Sequence, residues 1–416
     1  MNYTIRKNCR ICHNANNDAP LTQKFLSLGS TPLADRFLDS PTDPKESFPL
    51  DLYVCKQCQL VQLVDIVDDK LLFGDDYAFF TGGSPSSISY FKDYADEMIQ
   101  RFPEQARYTV EIASNDGTLL KHFRDASGIG RMQVLGIEPA KTVADYANAQ
   151  GVTTVQEYLS YQTARDVKRW FSTAGLIIAN NVVAHVDNLY DFMAGVDCLL
   201  DEKGVFVFEV QYFPHLLDKN AFDHVYHEHR SFFSLRPLLK LLEISGFRAF
   251  DVKTADAQGG SIRIYADKKH REALPSVQKL IDEEIARGLD KMETYQGFQE
   301  RVDSIKAGLV SMLKGLKAQG KTVYGFGASA KGNTLLNYCE IGPDLLDCVV
   351  DLTPYKIGKY TPGSHIVVKS PSQLKKQPDY YLVQVWNYLG GILERETAFR
   401  KAGGKFIVPI PSPTIL

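Results

Sequence analysis

The apolar positions divide the chain into stretches of different texture. From Leu71 to about residue 268, short apolar runs alternate with amphipathic segments. Ile88, Phe91, Tyr94, Met98 and Phe102 recur at steps of three and four, which predicts a helix with one buried stripe. Residues 108–113 predict a strand, Ser114-Asn115-Asp116-Gly117 a tight turn, and a helix starts near Thr118. A second strand over 134–138 ends in Glu138, before Pro139 opens the next helix. Further strands are predicted at 175–179 and 204–210. Between residues 271 and 321, Leu274, Val277, Leu280 and Ile281, then Val302, Ile305, Leu309 and Leu313, predict bridging helices. Residues 322–330 read as a strand entering Gly325-Phe326-Gly327-Ala328-Ser329-Ala330, Asp351 ends the next apolar run, and 404–411 predicts a last strand. The excursion over 13–54 contains Pro32, Pro41, Pro44 and Pro49 and predicts an irregular, extended path. The fold class is therefore α/β, with an N-terminal segment over 1–70, a doubly wound sheet over 71–268, a helical linker over 269–320 and a Rossmann-like domain over 321–416.

At 416 residues the chain exceeds what one hydrophobic core usually organises, which agrees with several domains. A net charge of -3 gives no bulk attraction to nucleic acid or anionic lipid. No window approaches a membrane span, and the first residues lead into no apolar leader segment, so a cytoplasmic protein is the expectation. No sequence feature indicates a protein partner.

Seven cysteines include two tight pairs, Cys9-Arg10-Ile11-Cys12 and Cys55-Lys56-Gln57-Cys58. Two residues between thiolates let one turn aim both sulfurs at one ion, and two such turns complete a tetrahedral zinc site. Four thiolates close the shell, so this zinc is expected to be structural. His13 is read as a bystander.

The strand, turn, helix and acid-ended strand around Glu138 is how doubly wound sheets hold an adenosine moiety. With one glycine, Gly117, the turn is a poor pyrophosphate cradle, whereas S-adenosylmethionine needs none. Glu111 inside the first strand, Asn115 and Asp116 in the turn, and Asn180 after the 175–179 strand complete the expected cofactor contacts. His185 stands just beyond, at the carboxyl edge where open sheets bind ligands. The densest chemistry is Phe222-Asp223-His224-Val225-Tyr226-His227-Glu228-His229-Arg230-Ser231, which reads either as a metal site or as acid–base machinery, imidazole having the side-chain pKa nearest neutrality.

Six motifs occur in one order: the cysteine knuckles, the turn at 115–120, the Asn-Val-Val-Ala-His run ending at His185, the Tyr-His-Glu-His block, Gly-Gly-Ser-Ile-Arg at 259–263 and the glycine-rich turn at 325–332. Together they resemble the S-adenosylmethionine-dependent sugar C-methyltransferases of deoxysugar biosynthesis, which methylate C3 of a nucleotide-linked 4-keto-6-deoxyhexose. The resemblance implies a zinc-binding segment, a central class I methyltransferase domain and a C-terminal Rossmann-like domain. It places the base on His229, with Tyr226 and Glu228 beside it and His227 in reserve, and puts substrate contacts at Tyr77, His227, Arg263, Ser329 and Lys331. Tyr226 or His185 would donate to the C4 oxyanion while Glu228 orients an imidazole. Two departures stand out: Ala113 occupies a position where the family commonly has glycine, and Tyr77-Ala78-Phe79-Phe80 stands where it often has a second tyrosine.

Two other readings compete. The Gly325 turn with Asp351 fits an NAD-linked oxidoreductase carrying a structural zinc. The knuckles alone would suit a noncatalytic nucleic-acid binder, against which the acidic balance argues.

Overall fold

The computed structural model describes residues 2–12, 23–44, 46–72, 80–126, 132–255 and 259–416. Its centre is a seven-stranded sheet whose strands in chain order are Tyr108–Ile112, Gln133–Ile137, Thr154–Val155, Ala174–Asn180, Leu200–Gln211, Arg248–Ala255 and Ser261–Asp267. Numbered one to seven they lie as 3-2-1-4-5-7-6, and the seventh alone runs antiparallel to both neighbours. The order reverses between the first and fourth strands, so the turns after them open together at the sheet's carboxyl edge.

Both faces of this sheet are covered, which is why its inner strands are continuous apolar runs. Ile178, Val205 and Val207 pack on one side with Tyr94 and Met98 of the helix Pro85–Arg101. Ile177, Phe206 and Phe208 pack on the other with Phe192, Leu238 and Leu241. The Pro85–Arg101 helix starts as its sequence dictates, with the Ser84 hydroxyl accepting from the Ser87 amide and proline in the first turn. Its stripe is shorter than the periodicity suggests, because Ile88 faces solvent.

The C-terminal sheet lines up Val368–Lys369, Val349–Val350, Val323–Phe326, Tyr380–Val383, Lys405–Val408 and Thr414–Ile415, parallel except for the last strand. Order reverses at Val323–Phe326, which places the Gly325 turn at a second switch point. The bridging helices are Pro275–Ala286 and Phe298–Ala318, and the second buries Val302, Ile305, Leu309 and Leu313 at the predicted spacing.

The N-terminal segment corrects the expectation of an irregular path. Gln23–Pro32 and Ser47–Val54 form an antiparallel pair, and Phe48, Leu50, Leu52 and Val54 are buried with strict alternation. The prolines fit at the margins: Pro32 ends its strand, and Pro49 lies opposite the register shift between Ser27 and Ser30. Val61–Leu63 extends this sheet, and its fourth strand is Ser231–Phe232, which follows the histidine block directly. Leu26, Leu50 and Leu52 share one core with the long helix and the C-terminal sheet, whereas Cys9, Ile11, Cys55 and Leu60 belong to the core of the central sheet. The segment therefore bridges the other two units.

One local feature is energetically costly. Ala113, at the end of the first central strand, has φ of 55°, in the left-handed region that disfavours a side chain. Ala113→Gly is expected to stabilise the fold by about 0.5–1 kcal/mol in urea unfolding; a loss of stability would show that the Cβ contributes more by packing than it costs in backbone strain.

Candidate active site and zinc centre

Cys9, Cys12, Cys55 and Cys58 converge, with all four sulfurs within 4.8 Å of one another. Cys9 and Cys58 Sγ are 3.6 Å apart and Cys12 and Cys55 Sγ 3.9 Å. A tetrahedral zinc with Zn–S bonds of about 2.3 Å requires sulfur separations of about 3.8 Å, which these bracket. The four thiolates fit zinc and leave no open coordination position.

At the first switch point the Ser114–Gly117 turn is held by Glu138, whose Oε2 accepts from the Asn115 amide at 2.9 Å and Oε1 from the Ala140 amide at 2.9 Å. Burial, with Asp116 and Glu138 nearby, pushes the Glu111 carboxyl well above its ordinary range, and its Oε2 has no protein partner among the described residues. Asn180 ends the fourth strand, and neither of its amide atoms has a hydrogen-bond partner among the described residues. Asn115 and Asp116 act differently from the expectation. Asn115 Oδ1 accepts from the Thr81 amide and Asp116 Oδ2 from the Gly82 amide, both at 2.8 Å, and Asp116 Oδ1 also caps Thr118. Their side chains strap residues 81–82 across the turn. Tyr158, just beyond the third strand and in the field of Glu138, joins this edge without having been signalled by any motif.

The histidine block forms a tight loop. His229 Nδ1 donates to the His224 carbonyl at 2.8 Å, which leaves Nε2 as the basic nitrogen, and Nε2 receives the Tyr226 hydroxyl at 2.8 Å. The His185 ring lies edge-on to that of His229 at 5.1 Å, with the main chain of Glu228 and Asn181 close by. Burial lowers both imidazoles, His185 to about 4 and His229 well below the ordinary histidine range, so both are neutral at pH 7. Burial raises the Glu228 carboxyl, and Asp35 adds to the effect. The His229 ring is held by the main-chain carbonyl of His224.

Two expected substrate residues face elsewhere. His227 Nε2 meets the Pro49 carbonyl at 3.3 Å, and its ring packs against Phe48, inside the N-terminal sheet. Arg263 lies over Tyr94, and its three nitrogens donate to Glu209, Glu97 and Tyr90, so its charge is satisfied within the protein. Ser329 caps the helix Ala330–Tyr338 through the Gly332 amide. Lys331 borders the histidine block: burial lowers it to about 8 while Asp223 supports its charge, and it lies in the field of His224 and His229. Tyr77, Ala78, Phe79 and His13 lie outside the described residues.

The site also recruits residues without an assigned role. Trp386 from the C-terminal domain donates to Asp223 Oδ2 at 2.7 Å, and Asp223 Oδ1 has no protein partner among the described residues. Gln211 donates to His224 Nδ1, while His224 Nε2 is buried with no partner among the described residues. Gly259 and Gly260 are required here, Gly259 by its φ of 94° and Gly260 because a Cβ would stand 2.1 Å from His215 Nδ1. Asp223 and His224 were visible inside the block; nothing in the sequence linked them to Trp386.

Comparison with known proteins bears on this arrangement. Residues 256–411 match the family model "C-methyltransferase C-terminal domain", residues 89–252 match "Methyltransferase domain", and a zinc binding domain model covers 9–73. The C-methyltransferase NovU of Streptomyces niveus is 36% identical over 98% of this chain and 96% of its own length. Among solved structures, an S-adenosylmethionine-dependent methyltransferase of Clostridium acetobutylicum ATCC 824 is similar over 42% of this chain and 91% of its own, at 14% identity and a TM-score of 0.34. Magnesium protoporphyrin IX methyltransferase of Synechocystis PCC 6803 is similar over 43% of this chain and 82% of its own, at 11% identity and a TM-score of 0.34. With zinc held by its four cysteines and a methyltransferase sheet at its centre, the chain belongs to the S-adenosylmethionine-dependent C-methyltransferase family.

Proposed function

We propose that the protein methylates C3 of a nucleotide-linked 4-keto-6-deoxy sugar through an enolate, with His229 as the base. The observation that carries this reading is the tautomer imposed on His229: a carbonyl at Nδ1 leaves a lone pair on Nε2, beside a tyrosine hydroxyl and a second neutral imidazole. Carbon methylation needs a C–H acidified by an adjacent ketone, which requires a base and a donor to the developing oxyanion. The NovU name and the domain matches support carbon as the acceptor.

S-adenosylmethionine would supply the electrophilic methyl group when bound at the Ser114–Gly117 turn, where Glu138, Glu111 and Asn180 would hold it. The C3 proton moves to His229 Nε2. The Tyr226 hydroxyl, released from that nitrogen, donates to the C4 oxygen, with His185 as the alternative donor. Lys331 adds positive potential beside the oxyanion, a contribution strengthened by exclusion of water. The zinc holds the N-terminal knuckles and takes no part in proton transfer. Because the His229 pKa lies below the ordinary histidine range, the base is unprotonated throughout neutral pH, and activity falls only as pH drops well under 6.5.

In deuterium oxide with S-adenosylhomocysteine bound, the protein should exchange the C3 hydrogen of a nucleotide 4-keto-6-deoxyhexose. His229→Asn should lose exchange and methyl transfer by about 10³-fold with S-adenosylhomocysteine affinity unchanged; normal turnover in that variant would remove His229 from the role.

Glu228 has a thermodynamic signature. Its folded pKa is raised above the unfolded value of about 4.3, so the unfolded chain ionises it first and stability declines as pH rises from that value toward the folded pKa. Glu228→Gln keeps the shape of the protonated acid, and should stabilise the fold by roughly 1–3 kcal/mol at pH 7 and very little at pH 4. Equal gains at both pH values would show that Glu228 is not held protonated.

A further inference from the structure

Arg10 lies between two cysteines of the first zinc knuckle, yet its side chain is fully buried and reaches both histidine-bearing loops. Its Nε donates to Asp187 Oδ1 at 3.1 Å, and Asp187 lies two residues after His185. Its Nη1 donates to the Arg230 carbonyl at 3.0 Å, the residue after His229, and to the Leu63 carbonyl at 2.7 Å and Gln62 Oε1 at 3.2 Å. Arg6 donates to the other Asp187 oxygen at 3.0 Å, and the Tyr190 hydroxyl to the Ile11 carbonyl at 2.6 Å, so the knuckle and the His185 loop are joined on three sides.

We infer that Arg10 is a positioning residue that fixes the separation of His185 and His229, with the zinc knuckle as its anchor; the inference rests on the reading of these histidines as the acid–base pair. Stability alone accounts poorly for the residue. A guanidinium taken wholly out of water is expensive, and Nη2 has no protein partner among the described residues, so an apolar side chain of similar volume would cost less. What an apolar side chain could not do is hold Asp187 and the Arg230 carbonyl at fixed distances from one planar group. The rings of His185 and His229 are 5.1 Å apart, and that of His229 depends on the His224 carbonyl for its orientation. A loop shift of about 1 Å is enough to misplace a base by the margin that costs up to about a hundredfold in rate.

The test uses the full-length, zinc-loaded protein and reads the histidine ring nitrogens by long-range proton–nitrogen NMR, assigned through single His→Asn variants, together with zinc content, kcat and KM. Arg10→Gln should keep one zinc, move the ring signals of His185 and His229 but not those of His122 and His270, and lower kcat about tenfold with KM nearly unchanged. Arg10→Lys, which restores the charge without the fork, should recover only part of both effects. Zinc retained with both ring signals and kcat unchanged in Arg10→Gln would overturn the inference. If that variant does not fold, Asp187→Asn serves, because Asp187 is part-exposed: a displaced His185 signal supports the inference and an unmoved one overturns it. Failure of the unaltered protein to turn over the 4-keto sugar would refute the substrate reading, while the ring signals would still decide the role of Arg10.

Discussion

The pairing of Ser231–Phe232 with Val61–Leu63 is the interaction on which the site depends. It makes the strand that follows His229 the last member of the N-terminal sheet, so the histidine block is fastened at one end to a segment far away in sequence. At the other end Trp386 grips Asp223 from the C-terminal domain. The loop between these attachments is too short to move independently of either. A polar loop with several buried unpaired atoms would otherwise relax toward water, because each such atom costs more than an ordinary hydrogen bond returns. Its geometry persists because the surrounding units over-determine it.

The two switch points use the same device. After the first central strand, the Glu138 carboxylate accepts the amide of Asn115; after the first C-terminal strand, Asp351 accepts the amide of Ala328 at 2.6 Å and that of Thr353 at 2.7 Å. In each half an acid at the end of the second strand therefore shapes the preceding turn before any ligand arrives. This weakens the inference from a glycine-rich turn and a following acid to a dinucleotide, since the acid already has a structural occupation. The glycines of the second turn also have packing reasons. A Cβ on Gly332 would stand 2.5 Å from the Gln384 side chain and one on Gly325 2.8 Å from it.

Much of this architecture was legible because it rests on local pattern. Helical spacing found the Pro85–Arg101 and Phe298–Ala318 helices, and paired CxxC turns found the metal ligands, since a tetrahedral thiolate site constrains spacing directly. The prolines concealed the N-terminal sheet: Phe48, Leu50, Leu52 and Val54 alternate perfectly, but Pro49 interrupts the reading at a bulge that only strand pairing reveals. Arg263 shows a different limit. A motif arginine looks available for an anion, and only the fold discloses that Glu209, Glu97 and Tyr90 already surround it. Arg10 is the converse, a residue inside a metal motif whose hydrogen bonds are made with loops some 180 and 220 positions away.

These long-range ties have a consequence for how the site acquires its chemistry. His185, His224 and His229 have lowered pKa values because the assembled units bury them away from water. Lys331 is lowered for the same reason and arrives from the C-terminal domain. The basic nitrogen, the neutral second imidazole and the adjacent ammonium are thus products of domain assembly rather than of the residues taken singly. The doubly wound sheet by itself forms the Ser114–Gly117 edge; the histidine pair proposed for proton transfer is assembled where the N-terminal sheet, the histidine loop and the second Rossmann-like turn meet.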